Sequence, residues 1–178
     1  MSDKLSISGD DDDWQVFGKT PPGGNETLFR SRAGRPAVRA YALENQMMRV
    51  RCVLREDQVG EKGMPKSTRD LDEYEERLLG TLTAAHAEVY LIAVVTGEGN
   101  RDLFFTARDL DDLRAGIKAA QTDVDTFKLQ LAPVGDKEAF LNGLSLSNVQ
   151  VQAAAAAGRV HEVQVQRSGS LLGKLFGR

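Results

Sequence analysis

The chain has 178 residues, of which 41% are hydrophobic, with a formal net charge of −3 and a single cysteine, Cys52. At about 150 residues per domain, that length fits one domain with tails, and there is apolar material for one core. One cysteine excludes an internal disulfide and a multi-cysteine metal site, two histidines exclude a histidine-rich one, and no apolar run reaches membrane-spanning length.

Residues 1–13 read as a flexible acidic leader. It carries Asp10-Asp11-Asp12-Asp13 where a secretory signal would place basic and then apolar residues, so a cytoplasmic location is expected. Trp14 to Lys19 and Glu26 to Arg32 read as two strands around the turn-forming run Pro21-Pro22-Gly23-Gly24-Asn25, an N-terminal β-hairpin. Ala33-Gly34-Arg35-Pro36 turns the chain again, and Ala37 to Leu43 reads as extended. The next strand is marked by Met48, Val50, Cys52 and Leu54 alternating with Arg49, Arg51 and Arg55, so one face meets a core and the other carries guanidinium groups. Cys52 falls on the apolar phase and reads as a small buried hydrophobe, not a reactive thiol.

A helix is expected after Pro65, opening at Ser67-Thr68-Arg69-Asp70 and burying Leu71, Tyr74, Leu78, Leu82 and Ala85 at spacings of three and four. Asp72, Glu73, Glu75 and Glu76 read as its solvated face, and His86 as its C-terminal end. Val89-Tyr90-Leu91-Ile92-Ala93-Val94-Val95 is a strand buried on both faces. Gly97-Glu98-Gly99-Asn100 turns it into a partner strand, Arg101 to Ala107. Asp109 caps a second helix that buries Leu110, Leu113, Ile117 and Ala120. Phe127, Leu129 and Leu131, alternating with Lys128 and Gln130, form a last half-buried strand, and Asp136 to Leu144 adds one short helical turn.

From Met48 the order is strand, helix, strand, strand, helix, strand. This is the α+β, ferredoxin-like split β-α-β antiparallel sheet with two helices on one face, here preceded by the β-hairpin. The first and third of these strands take the middle of such a sheet. The second, Val89 to Val95, is too apolar for a bare edge, so the hairpin is expected to lie beside it. Residues 14–145 are then one α+β domain. Residues 146–178 form a C-terminal extension, in which Val149-Gln150-Val151-Gln152 recurs as Val163-Gln164-Val165-Gln166. A hairpin and a low-complexity tail explain that repeat equally well.

Charge is unevenly placed. Residues 30–55 hold seven arginines against Glu44 alone, whereas residues 56–80 hold eight acids against four bases. Opposed blocks give a domain a basic and an acidic surface, and neutralisation within the domain is the simpler account. The chain contains no phosphate-binding Gly-Lys-Ser/Thr loop, no dinucleotide fingerprint and no Gly-x-Ser-x-Gly elbow, and it points to no catalytic residue, cofactor or metal. The candidate partner-binding residues are Arg49, Arg51, Arg55, Phe104 and Lys128 on the sheet, together with Leu171, Leu172, Leu175 and Phe176 in an apolar, basic tail that would suit a docking peptide or a weak membrane-surface contact.

The run Met48-Arg49-Val50-Arg51-Cys52-Val53-Leu54-Arg55-Glu56-Asp57, the acidic helix Arg69 to Leu79, Val89-Tyr90-Leu91-Ile92 and Asn100-Arg101-Asp102-Leu103-Phe104-Phe105 together resemble a bacterial family of unknown function. That family is similar in architecture to RraB, the regulator of ribonuclease activity B. The resemblance covers residues 12–145 and departs at Lys137-Glu138-Ala139-Phe140-Leu141, where the family has an aromatic-rich segment. It implies a non-enzymatic cytoplasmic protein that binds another protein, and it carries over no functional residue. The alternative is a single-stranded RNA binder that uses the arginine-bearing face with Phe104 as its stacking ring. An open strand edge would also permit a homodimer.

Overall fold

The computed structural model describes residues 5–9 and 14–144, with the backbone of residues 160–162. In chain order the elements are β1 (Gln15–Lys19), β2 (Thr27–Ser31), α1 (Pro36–Glu44), β3 (Gln46–Val53), α2 (Arg69–Ala84), β4 (Val89–Gly97), β5 (Asn100–Ala107), α3 (Asp111–Ala120), β6 (Lys128–Pro133), α4 (Lys137–Leu144) and β7 (Val160–Glu162). Among the described residues the strands form one antiparallel sheet in the order β6-β3-β5-β4-β2-β1-β7. The stretch from β3 to β6 is the ferredoxin-like unit, with β3 and β5 in the middle.

The hairpin lies where the apolar character of β4 requires it. Strand β2 pairs with β4 from Thr27↔Gly97 to Ser31↔Ala93, so β4 has no bare edge over that length. Beyond Ser31 the edge is taken over by part of the stretch read as a leader. Ile7 accepts a hydrogen bond from the Leu91 amide at 3.0 Å, and the buried Arg32 donates from Nη2 to Ser6 O at 2.8 Å and from Nε to Leu91 O at 2.6 Å. Residues 5–9 therefore lie against the domain, held by the Leu91 backbone and the Arg32 side chain just past the point where β2 stops pairing with β4, at Ser31↔Ala93.

Alternation sends the side chains to two apolar layers. Met48, Val50, Cys52, Val89, Leu91, Leu103 and Phe105 meet Leu71, Tyr74, Leu78 and Leu82 of α2 and Leu113 and Ile117 of α3. The opposite face is not left bare. Val38 and Ala42 of α1 and Leu141 and Leu144 of α4 pack there on Met47, Ile92, Ala93 and Phe104. Ala37 to Leu43, expected to be extended, is the helix α1. Pro36 opens it with φ already suited to a first turn, and Val38 and Ala42, four apart, supply its buried stripe. The short turn expected from Asp136 is the eight-residue α4.

Local signals set the ends of these elements. Helix α2 closes in a Schellman motif: the Ala87 amide donates to Leu82 O at 3.0 Å and the His86 amide to Thr83 O at 3.0 Å, with His86 at φ 52°. Glu98 (φ 52°) and Gly99 (φ 73°) form the two-residue turn of the β4–β5 hairpin, whose two left-handed residues match the twist of the strands. Asp109, expected to cap α3, does not: the cap position is Leu110, without a side-chain bond, and Asp109 Oδ1 accepts from the Asp111 amide at 2.9 Å in a turn just before the helix.

Candidate functional site

Strand β3 carries Arg49 and Arg51 on the α1/α4 face, because Met48, Val50 and Cys52 take the opposite phase. The register places Arg49 between Phe104 of β5 and Ala132 of β6, and Arg51 between Asp102 and Gln130. Lys128, opposite Val53, lies on the same face, so Arg49, Arg51, Phe104 and Lys128 do come together. Arg55 does not. It lies beyond the strand, at the start of a 3-10 turn, exposed and 3.3 Å from Asp57.

The three cations of the face are not equivalent. Arg51 donates from Nε and Nη2 to the two oxygens of Asp102, each at 2.7 Å, and these bonds hold its guanidinium above the ordinary arginine range. Its charge is thereby spent inside the sheet. Arg49 has no carboxylate partner among the described residues, and its Nε is buried without an acceptor. Lys128 is exposed at the start of β6. The unneutralised strip is therefore Arg49 and Lys128, not the row of three arginines.

Phe104 cannot act as an open stacking ring. It is 7% exposed, and Phe140 of α4 lies on it with ring centroids 4.4 Å apart. The correction has a simple cause: α4 is two turns long and its apolar stripe needs a surface, which Phe104 and Met47 provide. A second aromatic pair, which the sequence analysis did not single out, joins the buried Phe17 to the half-buried Phe29. Phe17 and Phe29 stack at 4.9 Å across the β1–β2 pair, and the Lys19 ammonium sits 4.9 Å from the Phe29 ring centre.

On the other face a charge network joins sheet to helix. Arg101 has no exposed surface; it donates from Nη1 to Asp72 Oδ1 at 2.6 Å, contacts Glu75 Oε2 at 3.7 Å, and its Nε meets Thr96 Oγ1 at 3.2 Å. Arg30 pairs with Glu75 and lies over the Trp14 ring at 5.0 Å. Asp72 and Glu75 thus leave the solvated face expected of them, while Glu73 and Glu76 stay exposed. Arg30 and Glu75 belong to the opposed basic and acidic blocks, so part of that charge division is neutralised internally. The signal was in the alternation: Arg101 shares the phase of Leu103 and Phe105, and Arg30 that of Leu28.

Burial pushes the Cys52 thiol up to about 12, and it likewise raises the Tyr74 phenol. No cluster of histidine, cysteine and carboxylate side chains suited to a metal occurs among the described residues. A pocket of about 220 Å³ at the start of α2 is lined by Asp57, Lys66 and Asp70, and Lys66 already donates to Asp57 O at 2.8 Å. No described helix is long and apolar enough to cross a membrane.

Leu171, Leu172, Leu175 and Phe176 lie outside the described residues, as do both Val-Gln repeats. The backbone of β7, just before the second repeat, pairs with β1 from Phe17↔Glu162 to Lys19↔Val160. No family model matches the chain, and a search of curated proteins finds no match.

Proposed function

We propose that the chain is a non-enzymatic cytoplasmic module that binds another protein and regulates it. The observation that carries this reading is the position of the unneutralised pair, Arg49 on β3 and Lys128 on β6, the outermost strand on that side of the sheet among the described residues. The other sheet arginines are committed to structure: Arg30 to Glu75, Arg51 to Asp102 and Arg101 to Asp72. A cation without an internal partner can pair with an acidic one without breaking an internal bond, and it steers encounter. The resemblance to the bacterial family of RraB-like architecture supports the same class of function.

The test is affinity purification of the full-length protein from its native host at low and moderate salt, with and without nuclease. A stoichiometric protein partner that survives nuclease and is lost from the Arg49→Glu, Lys128→Glu variant supports the module. The alternative, single-stranded RNA on the same face, predicts recovery of nucleic acid and affinity falling steeply with salt. Its intended ring, Phe104, lies under Phe140, so the protein-binding reading has the better support.

A further inference from the structure

We infer that the outer edge of β6 is the recognition element, and that it takes an extended acidic-apolar segment of a partner protein as an added antiparallel strand. This rests on the protein-binding reading above. The hydrogen-bond phase of the edge follows from two bonds. The Val134 amide donates to Met47 O at 3.1 Å, and the Leu54 amide to Gly99 O at 3.0 Å. Within the registers Met48↔Pro133 and Val53↔Asn100, these place the bonds between β3 and β6 at Arg49↔Ala132, Arg51↔Gln130 and Val53↔Lys128. The intervening residues of β6, Leu129 and Leu131, therefore aim both N–H and C=O away from β3. No strand pairs with that side among the described residues.

The edge also states what would fit it. An added strand places residues opposite Leu129 and Leu131 on the α2/α3 face, where Leu131 is 44% exposed and Leu129 is half-buried. Its alternate residues fall opposite Lys128 and Gln130, on the face of the unneutralised Arg49. Ala132, between Arg49 and the edge, presents only a methyl group, so that cation is not walled off. The complement is apolar on one side and acidic on the other. Pro133 lacks an N–H, and Lys128 stands at the far end, so the added strand is confined to the middle of β6. A second copy of β6 would bring Lys128 and Gln130 and no acid, and the Val-Gln repeats bring none either.

The test uses 15N-labelled full-length protein titrated with acetyl-Val-Glu-Val-Glu-Val-Glu-Val-amide and, separately, the same peptide with lysine replacing glutamate. The expected result is shifts centred on the Leu129 and Leu131 amides with the acidic peptide only. Leu131→Pro removes an outward N–H and leaves the bonds to β3 intact, so it should weaken binding about tenfold. Lys128→Glu, on an exposed side chain, gives a second variant with the same direction. Equal response to both peptides, or shifts elsewhere, overturns the proposal. So does a dimer in sedimentation that Leu131→Pro dissociates, or a chain ending at Leu144 whose Leu129 and Leu131 amides lose protection. A nuclease-resistant partner that Leu131→Pro still captures overturns the edge alone; no such partner for the unaltered protein removes the module reading itself.

Discussion

Arg101 and Asp72 tie the middle of the sheet to the first turn of α2, through a 2.6 Å bond from a guanidinium with no exposed surface. Glu75, one turn further on, is shared between Arg101 and Arg30, and Thr68 donates to the remaining oxygen of Asp72 at 2.9 Å. One buried and one half-buried cation thus face two carboxylates. The geometry makes the network costly to break from either side, since removal of one member leaves an uncompensated charge.

Glu75→Ala therefore destabilises the fold by about 3 kcal/mol. Glu75→Gln keeps one acceptor near Arg30 and costs less, about 1–2 kcal/mol. Urea unfolding of the two variants checks the order. Equal midpoints for wild type and Glu75→Ala would show that the network contributes nothing net.

Gly116 sits in α3, where α2 crosses it, and a methyl group there would lie 2.6 Å from Leu82 Cδ2. Alanine gains about 1 kcal/mol of helix propensity over glycine. Against this, Leu82 is 1% exposed and its Cγ would also lie only 3.2 Å away, so the core must repack around it and overpacking costs about 1–3 kcal/mol. The clash outweighs the propensity, and Gly116→Ala lowers the thermal midpoint. A raised midpoint would mean that the two helices separate more easily than their packing suggests.

The elements with an unambiguous period were legible in the sequence. The all-apolar run of β4 announced a two-face strand, and its need for a neighbour placed the hairpin beside it, as the Phe29↔Val95 pairing shows. The second helical layer was not legible, because Ala37-Val38-Arg39-Ala40 alternates as readily as it turns, and only Pro36 favours the helix. Missing α1 and shortening α4 made the arginine face look open and Phe104 available. Asp72 and Glu75 were misplaced for a different reason: their partners Arg30 and Arg101 lie 45 and 29 residues away in sequence. Helix periodicity alone cannot report such partners. The unequal roles of Arg49 and Arg51 depend on Asp102, which becomes their neighbour only once β3 and β5 pair.

Cys52 gives the fold a pH dependence on the alkaline side. Its thiol ionises near 9 when free and near 12 in the folded protein, because burial disfavours the thiolate. Below pH 9 both states are protonated and the term is silent. As pH rises above 9 the unfolded chain loses the proton that the native one keeps, so stability falls, by about 1.4 kcal/mol between pH 8 and pH 10. Tyr74, also raised by burial, extends the loss above pH 10. In Cys52→Ala the slope between pH 8 and pH 10 should flatten, whatever the offset in stability. The same burial predicts that a thiol reagent labels Cys52 only in denaturant. Prompt labelling of the native protein would contradict it.

Arg49 and Arg51, two residues apart on one strand face, should respond oppositely to neutralisation. Arg51→Gln strands Asp102, whose side chain is 11% exposed and loses both of its 2.7 Å bonds, so about 2–3 kcal/mol of stability is lost. Arg49→Met strands nothing. It removes a buried Nε that has no acceptor and keeps the aliphatic stem over the sheet, so stability stays level or rises by up to about 1 kcal/mol. Paired urea titrations decide the matter. If Arg49→Met unfolds as readily as Arg51→Gln, Arg49 has a structural partner, and the unneutralised strip beside β6 loses its central member. If the stabilities divide as expected while binding of the acidic peptide falls with Arg49→Met, the arginine that the fold can spare is the one recognition uses.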